Sequence, residues 1–419
     1  MNRHCVDHSL AHRPLGPPSA ALRLETRSNV DFTISAEQDS LYQGAKEFGA
    51  RQVRPSVLER DKNERWDDGL WKKMAAAGLI GAPFPEEYGG TGLSCFETCL
   101  VKEGFTYGAH DGGVALAWGA SSILCGVPIW KLGTEEQKQK YLPKMCAGDW
   151  IGAFCLSESG SGSDAASMKT RAVKKGDRYI LNGTKMWITN GPIANHFIVT
   201  AVTEPEAKAF GISTFIVDKS FAGFKVGQHI EKMGMNTSMT SEIVFEDCEV
   251  PEENLLGDIN AGFVVTAKLI LGWERSTLLA PALGGQRANY EAASQYANER
   301  VQFNRPISKF QAIRHMIADM KIRYEIGRNL IHRVACHLDA HSGADDAPPL
   351  LEAAIAKVQT SEASQKTARD TIQVLGGVGF TKEYHVERSL RDSMVGTIGA
   401  GTSEIQRSII ARSVLELGF

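Results

Sequence analysis

The chain has 419 residues, of which 43% are hydrophobic and 23% are charged, and its formal net charge at pH 7 is −3. The near-neutral charge excludes a strongly basic nucleic-acid groove or membrane-binding patch, and the apolar content excludes an intrinsically disordered chain. A chain of this length is expected to form roughly two to four domains. We identify no apolar run of the roughly 20 residues that a membrane span requires.

The chain predicts a leader followed by three domains. Residues 1–35 are rich in Pro, Arg and His, without apolar periodicity or a secretory hydrophobic core, which predicts a flexible leader. A weak organelle-targeting interpretation stays open. Helical periodicity predicts a helical domain over residues 36–150, short strands and turns predict a β domain over 151–258, and Ala- and Leu-rich stretches predict a helical bundle over 259–419.

Within the predicted β domain, turns and strands are expected at defined positions. Residues 175–178 (KGDR) and 181–184 (LNGT) are typical of hairpin turns. Residues 197–202 and 214–217 are continuous apolar runs that predict buried strands. Residues 160–165 (GSGSDA) fit a loose dinucleotide-binding fingerprint, but they lead into hairpins and not into a helix. We therefore expect no nicotinamide-binding fold, although such a loop can still present N–H groups to phosphates.

The cysteine pattern predicts free, buried thiols. Eight cysteines are scattered along the chain. The close pair Cys95 and Cys99 has no second pair or His cluster at the spacing of a metal site. The sequence thus predicts no metal site.

Glu274 is the candidate catalytic residue. Residues 268–279 predict a helix on which Ile270 and Leu278 flank this carboxylate. Loss of hydration disfavours a charged carboxylate, so Glu274 is a candidate base near neutral pH. The alternative is a structural Glu that pairs with Arg275 or Arg287.

Several segments resemble the acyl-CoA dehydrogenase family. They are residues 153–164 (AFCLSESGSGSD), 185–191 (KMWITNG), 300–303 (RVQF) with Phe310 and Gln311, 373–380 (QVLGGVGF), 391–392 (RD) and 401–407 (GTSEIQR). The resemblance extends from about residue 36 to the C-terminus. It implies a mostly α fold with a central β domain, namely an N-terminal helical domain, a barrel-like sheet domain and a C-terminal four-helix bundle. It also implies FAD as cofactor, a homotetramer, and an electron-transfer flavoprotein as acceptor.

The resemblance also implies which residues bind FAD. Those within one subunit are Phe154, Leu156, Ser157, Gly162, Ser163, Trp187, Ile188 and Thr189. Those that reach a neighbouring subunit's cofactor are Arg300, Phe303, Gln311, Gln373, Leu375, Gly376 and Gly377, and Thr402 and Glu404 are further cofactor-binding candidates. The residue types agree with this, because a flavin ring needs an aromatic wall and hydroxyl or amide donors.

The most informative departure from the family pattern is Ala400, which stands where most members carry the catalytic Glu before Gly-Thr-Ser. Two branches, including the isovaleryl-CoA dehydrogenases, carry the base on a bundle helix just before an Arg, as Glu274 precedes Arg275 here. The implied mechanism is α-proton removal by Glu274 with β-hydride transfer to flavin N5. The backbone N–H of Ala400 and a flavin ribityl hydroxyl would stabilise the thioester oxygen. Ser163, Arg275 and Gly401 are expected to bind substrate.

The thioester carrier stays open between CoA and a carrier protein. Many members have an Asp two residues before the base that contacts CoA, whereas this chain has Gly272. The bulky Trp273 that follows is expected at the mouth of the site. Asn304 and Met394 are further departures that bear on loop geometry. A flavin oxidase or monooxygenase of the same fold is an alternative function, and a non-enzymatic binding module is a weaker one.

The sequence also suggests residues for an acyl pocket and a cellular location. Residues that could line the acyl pocket are Tyr107, Trp118, Ser121 and Ser122. We expect a bacterial cytoplasmic protein, with a mitochondrial matrix location as the alternative.

Overall fold

The computed structural model describes residues 33–265, 269–341 and 349–416, and the side chains of residues 264 and 265 are not described. Contacts between Cα atoms divide the chain into Met1–Ser35 and Ala36–Phe419. The predicted leader lies almost entirely outside the described residues.

The N-terminal part is helical, as predicted. Two of its helices begin with a capping box, in which Ser94 pairs with Glu97 and Thr134 pairs with Gln137. The helices are α1 (Ala36–Phe48), α2 (Val57–Lys62), α3 (Asp68–Ala76), α4 (Cys95–Ala109), α5 (Gly112–Trp118), α6 (Val127–Leu132) and α7 (Glu135–Cys146), with π-helical segments at Gly49–Val53 and Gly119–Gly126.

One stretch of this part corrects the expectation that no apolar run is long enough to span a membrane. The 21 residues Gly112–Leu132 comprise α5, a π-helical segment and α6. By length and composition alone they are long and apolar enough to cross a membrane. However, 83% of the apolar window is buried inside the protein. Trp118 is completely buried there and packs edge-on against Phe105 of α4, with ring centroids 5.4 Å apart. The stretch therefore serves as the core helix of the N-terminal part.

A seven-stranded sheet follows, in the order β1-β4-β2-β3-β7-β6, with β5 paired to β4. Its strands are β1 (Gly152–Cys155), β2 (Arg171–Lys175), β3 (Arg178–Thr189), β4 (His196–Val202), β5 (Ile212–Asp218), β6 (Phe224–His229) and β7 (Thr240–Pro251). The two predicted buried strands are confirmed, since β4 and β5 pair antiparallel and are buried along almost their whole length.

The two predicted hairpin turns have different outcomes. The turn at 175–178 is confirmed, with Gly176 at a φ of 64° between β2 and β3. The turn at 181–184 is wrong, because these residues lie inside β3, which continues across an irregularity in its pairing with β7. Asn182 forms two hydrogen bonds with Asp247 of β7, 3.1 and 2.8 Å long. An Asn-Gly pair thus marks a β-bulge here.

The C-terminal part is again helical. Its elements are α8 (Gly262–Val265), α9 (Leu271–Trp273), α10 (Ala280–Glu299), the short strands β8 (Val301–Gln302) and β9 (Arg305–Pro306), α11 (Gln311–Ala340), α12 (Leu350–Leu375), α13 (Gly377–Phe380), α14 (Val386–Ser393) and α15 (Ser403–Val414). Helices α10, α11 and α12 pack on one another, and α10 and α11 also pack on α4. The predicted fold class, two helical parts around a central sheet, is confirmed, whereas the domain boundaries stay a prediction.

The cysteines are free thiols in the part of the chain that the structure describes. Cys95, Cys99, Cys125, Cys146, Cys155 and Cys248 are buried, and Cys336 is exposed. Cys5 lies outside the described residues. Among the described residues no group of His, Cys, Asp or Glu side chains could hold a metal ion.

Candidate active site

Glu274 begins a π-helical turn, Glu274–Leu278, directly after the short helix α9. This corrects the predicted regular helix over 268–279, of which residue 268 lies outside the described residues. The Ser276 hydroxyl donates to the carbonyl of Gly272 at 2.8 Å, and the Thr277 hydroxyl donates to that of Trp273 at 2.7 Å. Single π-helical turns inside helices frequently occur at functional sites.

The carboxyl group of Glu274 is buried and has no ionic partner in the described part of the chain. Its residue is 9% exposed, and among the described residues no hydrogen bond or ion pair reaches its side chain. Arg287, one of the two partners in the structural alternative, instead pairs with Glu291 at 2.9 Å. Burial raises the pKa of Glu274 to about 6, although the positive charges of Arg275 and Lys357 oppose that rise. A group with this pKa can accept a proton near neutral pH.

Two buried cations stand near this carboxylate. Arg275 is 2% exposed, and its Nε and Nη1 atoms have no hydrogen-bond partner among the described residues. Lys357 of α12 is completely buried, its Nζ likewise lacks a partner there, and burial lowers its pKa to about 8. Sequence reasoning missed Lys357. Its only signal was a lysine among the alanines of the helix at 350–368.

The loop before α15 meets Arg275. Ala400 and Gly401 both have positive φ angles, 59° and 78°, and a Cβ placed on Gly401 would lie 3.8 Å from Nη2 of Arg275. Gln406 fixes the loop, because its side-chain amide donates to the carbonyls of Ala400 and Gly401 at 3.1 and 3.2 Å. The N–H of Ala400 has no acceptor among the described residues. This free donor lies beside two predicted substrate-binding residues.

Thr402 and Glu404, which are predicted to bind the cofactor, follow that loop at the start of α15. Thr402 is the N-cap of α15 and accepts a hydrogen bond from Ile405 N–H at 3.3 Å. Glu404 is exposed in the first turn of the same helix. The structure therefore gives the Thr402 hydroxyl a local structural role, and its contact with the cofactor stays a prediction.

In the sheet, Trp187 is presented by a β-bulge. Its φ is 57°, its side chain is 54% exposed, and the pairing of β3 with β7 shifts between Lys185 and Ile188. The N–H of Met186 donates to the carbonyl of Ser157 at 2.9 Å. The structure thus brings together the 153–164 and 185–191 segments that sequence analysis identified separately.

A buried ion pair that sequence analysis did not identify holds this region. Lys185 is buried, and its Nζ lies 3.0 Å from Glu158 and donates to the carbonyl of Leu156 at 2.9 Å. Glu158 also accepts hydrogen bonds from Thr170 N–H and Oγ1 at 2.9 and 2.6 Å. Gly162 and Ser163 lie on the exposed surface of the loop that this pair anchors.

The remaining predicted cofactor residues of the sheet are partly buried or buried. Phe154, Leu156, Ser157 and Thr189 are partly buried, so parts of their surfaces stay accessible. Ile188 is 2% exposed and packs in the sheet core. Ile188 can therefore offer only its backbone to a ligand.

Another group of predicted cofactor residues lies where α10 ends, α11 begins and α12 ends. Arg300, Gln311, Gln373, Gly376 and Gly377 are exposed there, and Phe303 is 86% exposed. Phe303 and Asn304 both have positive φ, at 51° and 60°, in the two-residue turn between β8 and β9. Asn accepts this conformation well, so the Asn304 departure keeps a tight turn possible. Leu375 is instead buried, so only its backbone is available.

The residues suspected of lining an acyl pocket are mostly engaged elsewhere. The Ser121 hydroxyl accepts a hydrogen bond from Gly152 N–H at 3.0 Å, and the Ser122 hydroxyl donates to the carbonyl of Ile80 at 2.6 Å. The Tyr107 hydroxyl donates to Glu291. Trp118 is buried, and its Nε1 has no partner among the described residues.

Gly272 and Trp273 are buried, which corrects the expectation that Trp273 stands at the mouth of the site. Trp273 is 8% exposed and packs edge-on against Trp130, with centroids 6.3 Å apart. A Cβ on Gly272 would lie 2.9 Å from Cδ2 of Leu338. An Asp at this position would therefore require Leu338 of α11 to move.

Three family models match consecutive parts of the chain. They are the acyl-CoA dehydrogenase N-terminal domain at residues 35–149, the middle domain at 153–248 and the C-terminal domain at 260–415.

Curated relatives match over nearly their whole length. An acyl-CoA dehydrogenase of Bacillus subtilis is 41% identical over 91% of this chain and 99% of its own. A short-chain-specific acyl-CoA dehydrogenase of Clostridium acetobutylicum is 37% identical over 92% of this chain and 100% of its own. The mitochondrial isovaleryl-CoA dehydrogenase of Solanum tuberosum is 38% identical over 95% of this chain and 97% of its own.

Solved structures are similar over the same extent. A chain in a structure of the electron transferring flavoprotein of Acidaminococcus fermentans superposes with a TM-score of 0.87 and 41% identity, over 92% of this chain and 99% of that one. The prolyl acyl carrier protein oxidase AnaB superposes with a TM-score of 0.88 and 34% identity, over 91% of this chain and 100% of that one. PigA with FAD and proline superposes with a TM-score of 0.88 and 32% identity, over 93% of this chain and 100% of that one.

Proposed function

The chain belongs to the acyl-CoA dehydrogenase family, and on that premise we propose that it is an FAD-dependent acyl thioester dehydrogenase in which Glu274 removes the α-proton. The observation that carries this assignment is a buried carboxylate that has no ionic partner among the described residues and whose pKa is about 6. It suits a base that stays unprotonated at neutral pH and can still accept a proton. The carbon skeleton then gains a double bond between Cα and Cβ.

The exposed residues of the sheet fit a flavin. Trp187 offers a large aromatic face outside the sheet, and the partly exposed Ser157 and Thr189 offer hydroxyl groups beside it. A Cβ on Gly162 would meet no atom within 4 Å, so the adjoining loop leaves room for a ligand. When bound, FAD accepts the β-hydrogen of the acyl chain as a hydride.

A second set of residues would hold the cofactor of a neighbouring subunit. Arg300, Gln311 and Gln373 are exposed at one end of the bundle, where a guanidinium can bind a pyrophosphate bidentately. Phe303 and Phe380 are 86% and 85% exposed at this end, which supports its burial by another copy of the chain. We propose a homotetramer on this basis, with Leu375, Gly376 and Gly377 contributing backbone contacts.

The thioester oxygen gains negative charge as the α-proton leaves. The free N–H of Ala400 is the donor we assign to that oxygen, because preorganised N–H groups stabilise developing charge. The charge of Arg275 acts on Glu274, and its Nη2 atom lies near Gly401, so this charge also favours an anionic transition state. Ser163 is assigned to the substrate on the exposed side of the sheet loop.

We propose free CoA as the carrier. A surface cleft of about 560 Å³ is lined by Asp164, which follows Ser163 in sequence, and by the cations Lys169, Arg171 and Lys208. Three cations around one cleft suit a polyphosphate.

A carrier-protein thioester is the second candidate. It is favoured by Gly272, because an acidic side chain at this position would require the Leu338 side chain to move. The similarity to a prolyl acyl carrier protein oxidase also supports this candidate.

We further propose an electron-transfer flavoprotein as electron acceptor and the bacterial cytoplasm as location. The similarity to a chain in the A. fermentans electron transferring flavoprotein structure supports the acceptor. Relatives from Bacillus and Clostridium support the location.

Anaerobic bleaching of the flavin tests the reaction class and the carrier together. We expect straight and branched acyl-CoAs to bleach the native protein. Arg171→Glu should raise the KM for an acyl-CoA about tenfold, without affecting the N-acetylcysteamine thioester of the same acid, which lacks phosphates. Lys225→Glu, a change on β6 at an exposed ion pair with Glu246, is the matched control and should leave both KM values unchanged.

Other outcomes would redirect the assignment. Bleaching by carrier-protein thioesters alone would favour the second candidate. Hydrogen peroxide production in air without an added acceptor would favour an oxidase. No bleaching by any thioester would contradict the proposed dehydrogenase.

A further inference from the structure

Lys102 is a buried cation outside the groups assigned above. It lies in the middle of α4, is completely buried, and its Nζ has no hydrogen-bond partner among the described residues. The ammonium group lies 4.1 Å from the ring centroid of Trp118, whose Nε1 also lacks a partner there. Two buried donors therefore stand together without an acceptor. Buried polar groups are rarely left in this state, and each exception calls for an explanation.

The immediate surroundings of Lys102 do not neutralise it. Cys99, one turn earlier on α4, is a buried thiol whose pKa burial raises well above its usual value, so it is uncharged. Burial lowers the pKa of Lys102 to about 7. The adjacent Glu103 faces Tyr324, Arg328 and His332 instead.

Leu278 links Lys102 to the catalytic base. It ends the π-helical turn that Glu274 begins, and it is only partly buried. A Cβ built on Gly119 would lie 2.0 Å from Cδ1 of Leu278 and 3.6 Å from Nζ of Lys102. Leu278 and the Lys102 ammonium therefore approach the same point on the core helix of the N-terminal part.

The direction of the substrate follows from its size. The carrier, whether CoA or a protein, is too large for the interior and must remain at the surface. An acyl group that reacts at Glu274 and extends inward along Leu278 would point its far end toward α4 and Gly119. At that end it would meet an ammonium group and an indole N–H, both without an acceptor among the described residues.

We propose that Lys102 selects acyl thioesters whose far end carries a carboxylate, the monothioesters of dicarboxylic acids. This inference rests on the proposed function, because it uses Glu274 to place the reacting carbons. A carboxylate accepts hydrogen bonds from both free donors and supplies the countercharge that the ammonium lacks. A methyl-ended chain of equal length would leave both donors unsatisfied.

Binding to a base-deficient variant tests the inference without turnover. In the full-length flavoprotein carrying Glu274→Gln, we would titrate paired CoA thioesters of five to eight acyl carbons, one of each pair ending in carboxylate and the other in methyl. Changes in the flavin spectrum and in Tm report binding. For at least one length, the carboxylate form should bind about tenfold or more tightly.

Lys102→Met, added to Glu274→Gln, should abolish this preference. The substitution keeps the side-chain length and removes a buried unpaired charge, so the variant should fold and have an unchanged or higher Tm. Lys131→Met is the matched control, because Lys131 also lies over an indole, 3.8 Å from the Trp130 ring centroid, but at an exposed position. It should keep the preference.

Equal or tighter binding of the methyl-ended thioester at every length would overturn the inference, as would a preference that survives Lys102→Met. Either result would leave the proposed dehydrogenase intact if methyl-ended thioesters bleach the native flavin. Failure of all thioesters to bind and to bleach would overturn both.

Discussion

Two buried glutamates of the same chain have opposite electrostatics. Glu103 of α4 is completely buried, accepts a hydrogen bond from the Tyr324 hydroxyl at 2.6 Å, and lies 3.7 Å from Arg328 and 3.8 Å from His332. Burial alone would raise its pKa, but His332, Arg328 and Tyr324 hold the pKa below its usual value. For Glu274 burial prevails, and the pKa rises to about 6.

The difference shows that burial by itself does not make a base. Glu103 has donors and cations positioned around its charged form, so that form is stabilised. Near Glu274 the cations Arg275 and Lys357 act without forming a hydrogen bond to it among the described residues, and the carboxylate stays available to a substrate. By this criterion we assign a structural role to Glu103, and we propose a chemical one for Glu274.

The largest expected effect is on the rate of proton abstraction. Glu274→Gln should lower the rate of anaerobic flavin reduction by an acyl thioester by about 10³-fold, because the amide cannot accept the α-proton. Glu325→Gln, a surface change on α11, should leave this rate unchanged. Equal loss of rate in Glu103→Gln, with its fold retained, would erase the distinction between the two glutamates.

The second effect is on stability. Glu103→Gln should lower the free energy of unfolding at pH 8 by about 3 kcal/mol, because it leaves buried partners without their countercharge. The folded-state pKa of Glu103 is lowered, so its contribution is present above the unfolded pKa, about 4.5, and is lost as the pH falls. Urea unfolding at pH 8 and at acidic pH would measure both values. An unchanged free energy of unfolding at pH 8 would contradict the structural role of Glu103.

Glu274→Gln should instead raise the stability of the folded protein. The rise of its pKa from 4.5 to about 6 means that ionisation costs the folded state about 2 kcal/mol. This cost is absent below pH 4.5, grows as the pH rises through about 6, and is complete at pH 8. Glu274→Gln should therefore raise Tm at pH 8 more than at pH 4.5. Destabilisation at pH 8 would indicate a satisfied carboxylate like Glu103.

The smallest effect concerns the pH dependence of catalysis. The acid limb of kcat/KM should have its midpoint near pH 6, where Glu274 loses its proton. Because Lys357 lowers the pKa of Glu274, Lys357→Met should move that limb to higher pH. Lys366→Met, on the same helix but paired with Asp370, is the matched control and should not move it.

Sequence patterns predicted the arrangement of helices around a sheet because apolar periodicity and turn residues are local signals. They also identified Glu274, since its flanking residues and the departure at Ala400 are visible in the chain. The π-helical turn at Glu274 was not predictable, because its backbone hydrogen bonds are only one residue longer in spacing than those of an α-helix. The bulge at 181–184 was mistaken for a turn, because Asn-Gly favours both.

The rest of the site depends on tertiary contacts. The burial of Lys357 and Lys102 arises from packing between helices that are distant in sequence. Whether Trp273 points to the core or to solvent depends on Trp130, and the close approach at Gly272 depends on Leu338. None of these contacts has a local pattern from which it could be read.

The most direct test follows the α-proton itself. A CoA thioester whose β-carbon is replaced by sulfur has α-protons but no β-hydrogen to transfer, so only proton exchange can occur. In heavy water, NMR should show α-deuterium incorporation catalysed by the native protein and by Glu103→Gln, but not by Glu274→Gln. Undiminished exchange in Glu274→Gln would show that another group is the base and would contradict the role assigned to this buried carboxylate.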